Sequence, residues 1–134
     1  MGDRAALRRG GPRPVSEPRV TSRAAATLAI SAAAAALIWV LSPWLVGKLE
    51  PWDAEGPFYI GALAVAGALS GAVAPRPRWA HYVGAFAGQL VYELVALRVG
   101  PLFVLGAVFL LAYSLVFAVA AAAASFARSA LAAQ

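Results

Sequence analysis

Residues 79–99 read WAHYVGAFAGQLVYELVALRV, a mainly apolar stretch with a single acidic side chain, Glu93, set inside it. A bilayer's hydrocarbon core is about 30 Å thick and needs roughly 20 mainly apolar residues in a helix that crosses it. This stretch has that length. Immediately downstream, Gly100-Pro101 breaks the pattern and a second apolar run fills 102–127. Upstream, Pro75-Arg76-Pro77-Arg78 separates it from a run over 57–74, and the decapeptide 47–56, GKLEPWDAEG, separates that from a run over 24–46. Proline at 57 suits a first helical turn, where its missing N–H has no partner to lose. The short Gly100-Pro101 break predicts an antiparallel hairpin of the third and fourth runs.

The predicted fold is therefore all-α: an integral membrane bundle of four transmembrane helices over about 24–46, 57–74, 79–99 and 102–127. A basic N-terminal tail (1–23) precedes it and a short C-terminus (128–134) follows. A β-barrel is excluded, because its strands need roughly ten-residue segments of alternating polarity. Composition agrees: 13% of the 134 residues are charged, against about 25% in soluble domains, and the mean hydropathy is +0.75.

Charge orients the bundle. Arg4, Arg8, Arg9, Arg13, Arg19 and Arg23 precede the first run, Arg76 and Arg78 lie between the second and third, and Arg128 follows the fourth. Lys48 and Arg98 fall on the other side, beside Glu50, Asp53 and Glu55. The positive-inside rule puts both termini and the 75–78 connection in the cytoplasm, with the acidic loop outside an inner (cytoplasmic) membrane. The Arg/Pro/Gly-rich tail buries too little apolar surface to offset its ordering entropy and is predicted to be disordered. It is a topology signal or, alternatively, an anchor for anionic lipid. A signal peptide fits poorly, because the first run continues through Leu37-Ile38-Trp39-Val40-Leu41 with no small-residue cleavage box. No groove-reading motif accompanies the pI of 10.5, so nucleic acid is not an expected partner.

Two glycine pairs one helical turn apart, Gly67/Gly71 and Gly84/Gly88, are expected to let backbones approach, with the second and third runs packing through them. Alanine-rich stretches at 24–36 and 118–124 present thin surfaces that favour protein neighbours over lipid. The expected partners are accordingly membrane lipids and other membrane helices, in a homo-oligomer or a larger complex.

Glu93 leads the candidate site residues. At 100° per residue it shares a stripe with Tyr82, Phe86 and Gln89, with Gly84 opposite. A charge near a bilayer centre costs on the order of 3 kcal/mol, less for Glu93, about one and a half turns from the outer end. Glu93 either holds a proton, cation or polar ligand, helped by Gln89, Tyr82 and Tyr92, or pairs with Lys48, Arg98 or a neighbouring helix, or reaches toward the headgroups. Asp53 and Glu55 in the outer loop could recognise a cation or partner, or mark a loop anchored by interfacial Trp52. Trp39, Trp44 and Trp79 are likewise expected near interfaces.

Catalytic chemistry finds little support. The chain has no cysteine, its one histidine, His81, is expected at an interface, and no serine is expected at matching depth to use it as a base. No metal site, cofactor or enzymatic activity is expected, with a lipid-modifying enzyme the remote exception. The sequence favours a small accessory or scaffold subunit acting through helix packing. The alternative is a small homo-oligomeric transporter or channel that uses Glu93 for proton or cation coupling.

Overall fold

A computed structural model describes residues 18–74, 76–97 and 99–134 of the chain. Four α-helices follow in order: α1 (Pro18–Val46), α2 (Phe58–Val73), α3 (Trp79–Ala96) and α4 (Phe103–Leu131), with one 3-10 turn over Pro51–Asp53. No strand occurs among the described residues, so the fold is all-α.

Two helical stretches, Val20–Val46 in α1 and Phe103–Leu131 in α4, are long and apolar enough to cross a membrane. Their most apolar windows are only 28% and 17% buried against the rest of the chain. The core helix of a water-soluble fold would hide that surface. Here it carries exposed Leu37, Val40, Leu45, Val104, Val108, Leu115 and Val119. The other two helices are shorter, at 16 residues for α2 and 18 for α3.

Helix ends follow local chemistry. Gly47 (φ 70°) closes α1 and Gly56 (φ 72°) turns the chain into α2, both in the left-handed region that a Cβ disfavours. α1 begins at Pro18, so residues 18–23 are helical where their composition predicted disorder. Proline presets the first turn, and Thr27 Oγ1, 3.0 Å from the Arg23 carbonyl and 2.8 Å from that of Arg76, ties this end to the α2–α3 connection. The rest of the predicted tail, 1–17, lies outside the described residues. α4 likewise runs past 127, where Arg128 Nη1 donates to the Ala72 carbonyl and Ser129 Oγ to Ser125 O at 2.9 Å.

The closest helix pairs are α1 with α3 and α2 with α4, each running parallel, while α2 and α3 barely touch. The expectation that α2 and α3 pack glycine ridge to glycine ridge is therefore corrected. Gly84 and Gly88 of α3 face Leu28, Ser31 and Ala32 of α1, whereas Gly67 and Gly71 of α2 face the backbone of Phe117 and Ala121 in α4. Each glycine pair still lets two backbones approach closely, but it does so against α1 or α4 and not against the other glycine pair. The alanine runs thus find protein neighbours within the chain. α3 and α4 also pack, antiparallel as predicted, with Tyr82 Oη donating to Leu111 O at 3.1 Å. The core where these pairs meet holds Trp39, Leu63, Ala85, Leu110 and Phe117.

Candidate functional site

Near the middle of the bundle each helix supplies one polar side chain to a common knot. Gln89 (α3) is fully buried. Its Oε1 accepts from the Tyr59 hydroxyl (α2) and, at 3.5 Å, from Trp39 Nε1 (α1). Its Nε2 donates to Ser114 Oγ (α4) at 3.1 Å and to the Ala85 carbonyl at 3.0 Å, and Ser114 donates onward to Leu110 O at 2.7 Å. The amide thus uses both N–H donors and both acceptor positions. Gln89, a candidate ligand-holding residue on sequence grounds, is spent on fastening the four helices.

Aromatic rings enclose the knot on its 47–57 loop side. Trp39 stands edge-on to Trp52 (ring centroids 4.8 Å apart, planes at 87°) and lies 5.8 Å from Tyr92, while Tyr59 meets Tyr113 at 4.6 Å. Of the four tryptophans expected near interfaces, Trp39 is fully buried and Trp52 half-buried against it, whereas Trp44 and Trp79 are exposed. Trp52 is held by its Nε1 hydrogen bond to Glu50 Oε2, 2.6 Å. Pro51, fully buried, pins the loop down at that point.

One turn beyond Gln89, Glu93 lines a pocket of about 540 Å³ together with Glu50, Trp52, Gly106, Phe109 and Tyr113. Its Oε2 is shielded from solvent and has no hydrogen-bond partner. Its Oε1 lies where a side chain at position 106 would stand, 2.9 Å from an ideal Cβ, so Gly106 makes room for the carboxylate against α4. Leaving a carboxylate oxygen unpartnered in a low-dielectric setting costs several kcal/mol unless a proton or cation neutralises it.

Of the remaining sequence candidates, Tyr92 belongs to the aromatic enclosure, and Tyr82, Asp53 and Glu55 lie outside the arrangement. Tyr82 is engaged with Leu111, half-buried Tyr92 packs on Trp39, and Asp53 and Glu55 sit exposed on the loop. Arg98, one suggested ion-pair partner of Glu93, lies outside the described residues. Residues missed by sequence reasoning are Glu50, Trp52 and Tyr113 at the pocket and Trp39, Tyr59 and Ser114 at the knot. Tyr113-Ser114, a polar pair inside an otherwise apolar run, was the available signal.

At the other end of the bundle His81, near the start of α3, is fully buried within the chain. Its Nε2 lies 2.8 Å from the Ala74 carbonyl, which can only accept, so in the neutral ring Nδ1 is left to accept from Ser31 Oγ, 2.8 Å away. The expectation that no serine lies level with the histidine is thereby corrected: α1 and α3 run parallel, which brings residue 31 beside residue 81. Both side chains are fully enclosed, so the pair has no room for a substrate and serves to join α1, α3 and the end of α2. No protein-family model matches this chain, and neither a curated protein nor a solved structure matches it.

Proposed function

We propose that all four helices cross the bilayer and that the chain is a small transporter or channel with a cation- or proton-binding carboxylate, Glu93, near its outer end. Side-by-side packing supports four crossings. The polar and glycine contacts set α3 beside residues 27–39 of α1 and α2 beside residues 113–125 of α4, so a lipid slab centred on the long helices also contains the short ones. A local thinning of a few ångströms accommodates their length. The arginine distribution supports cytoplasmic termini in an inner membrane.

The observation that carries the functional reading is the unpartnered Glu93 oxygen beside a pocket that Glu50 also lines. The other buried side-chain atom without a hydrogen-bond partner among the described residues, the Ser42 hydroxyl, is uncharged, so Glu93 is the ionisable group left for chemistry. In proteoliposomes carrying a trapped pH indicator, imposed cation gradients should drive proton movement with the wild-type protein, and Glu93→Gln should abolish it. Equal flux from wild type and Glu93→Gln would end the proposal.

A second reading, an accessory or scaffold subunit that docks other membrane helices, is favoured by an open apolar groove of about 600 Å³ between α1 and α2. A Cβ at Gly61 in that groove would meet nothing within 4 Å. The glycine pairs cannot serve this role, since they are already occupied inside the bundle. Under this reading Gly61→Leu should leave the fold and flux intact but reduce cross-linking to neighbouring membrane proteins.

A further inference from the structure

The pocket beside Glu93 has a composition that identifies what it would hold. Two carboxylates from separate elements, Glu50 at the end of the loop and Glu93 on α3, share it with the rings of Trp52, Phe103, Phe109 and Tyr113. Negative charge combined with π faces attracts cations, and organic cations gain most because their apolar bodies also leave water. The volume, about 540 Å³, lies within the range of small-molecule sites and is far more than a proton or a bare metal ion requires. A hard divalent cation needs six to eight oxygen ligands at about 2.3–2.6 Å, and no three His, Asp or Glu side chains converge among the described residues. The shielded Glu93 oxygen fits the same reading, since a charge of opposite sign at the pocket would offset the cost of leaving it unpaired.

We infer that this pocket binds a monovalent organic ammonium ion with an aromatic or similarly bulky apolar body, its charge held between Glu93 and Glu50 and its body against Trp52 and Phe109. The inference rests on the carboxylate reading above and narrows it to a ligand class. Gly106, which also lines the pocket, leaves the space in which the Glu93 carboxylate lies.

The test is direct binding of benzyltrimethylammonium to purified full-length protein in nanodiscs, by calorimetry, with its uncharged carbon isostere neopentylbenzene and with sodium and calcium chlorides as comparisons. Saturable binding of the ammonium ion alone is expected, weakened at least tenfold by Glu93→Gln and by Glu50→Gln separately, with thermal melts confirming that both variants fold. Saturable binding of the isostere with equal affinity would overturn the inference, because recognition would then be apolar only. So would stoichiometric displacement by sodium or calcium, or equal affinity in both glutamine variants. If benzyltrimethylammonium fails to bind while Glu93→Gln still abolishes proton movement in liposomes, the ligand class is wrong and the carboxylate reading survives. If neither measurement responds to Glu93→Gln, both fall.

Discussion

Replacing Gly71 with alanine tests the packing on which every placement in this bundle depends. An ideal Cβ at Gly71 lies 2.6 Å from both the Cα and the carbonyl carbon of Ala121, where ordinary contact begins near 3.4 Å. These two atoms and the Ala121 carbonyl oxygen, which stands nearer still, are all backbone, so no side chain can swing aside, and α2 and α4 must separate locally by at least about 0.8 Å. A gap of that size forfeits a quarter to a half of each dispersion contact along the seam, and overpacking of this kind costs about 1–3 kcal/mol. It also stretches the 3.1 Å hydrogen bond from Ser125 Oγ to the Gly71 carbonyl.

The higher helix propensity of alanine works in the opposite direction, by about 1 kcal/mol. Gly61→Ala, in the same helix but facing open space, has that gain without the clash, so the difference between the two variants isolates the packing. Gly71→Ala should unfold about 1–3 kcal/mol more easily than Gly61→Ala, measured by reversible titration with sodium dodecyl sulfate in mild-detergent micelles and read by tryptophan fluorescence. Equal midpoints for the two variants would refute the α2–α4 seam and the parallel pairing built on it. Gly88→Ala, whose Cβ would stand 2.7 Å from the Ala32 Cα and nearer still to its carbonyl oxygen, should behave like Gly71→Ala. The two losses should add, because they act on separate seams.

Gln89→Leu orphans the Tyr59 hydroxyl and should cost about 1–3 kcal/mol in the same titration, with a smaller added loss when Tyr59→Phe is combined with it, since the orphan is then removed; full additivity would mean that the two groups do not share the knot. Gly106→Ala places a methyl group 2.9 Å from Glu93 Oε1, the end of a flexible side chain, so cation-driven proton movement should fall several-fold while the unfolding midpoint changes by less than about 1 kcal/mol. Because the chain lacks cysteine, single replacements Glu55→Cys and Ser129→Cys report topology cleanly. A membrane-impermeant maleimide should label them from opposite sides, and labelling from one side would remove the four-crossing arrangement.

Much of the helical layout was legible without coordinates. The breaks at Gly47, Gly56, Pro77 and Pro101 reflect φ preferences and missing donors, which are properties of single residues, and they set the helix ends to within a few positions. The early start of α1 at Pro18 was missed because its support is long-range: Thr27 reaches the carbonyl of Arg76. The site was legible only in part. Glu93 stood out as an acid in an apolar run, but its helical-wheel neighbours Gln89 and Tyr82 proved to be engaged elsewhere, and Glu50 looked like one more loop acid.

The sequence by itself determined four apolar helices, a sign asymmetry between their connections, and one carboxylate out of place, because hydropathy, charge and turn chemistry act along the chain. Tertiary structure alone decided that each glycine ridge receives an alanine-rich helix, that His81 meets Ser31, and that Glu50 and the Trp52 ring fold down beside Glu93. Those outcomes turn on the rotation and axial offset of one helix against another, and these are set by which surfaces fill space most completely, a property of the assembled bundle that no single run of residues contains.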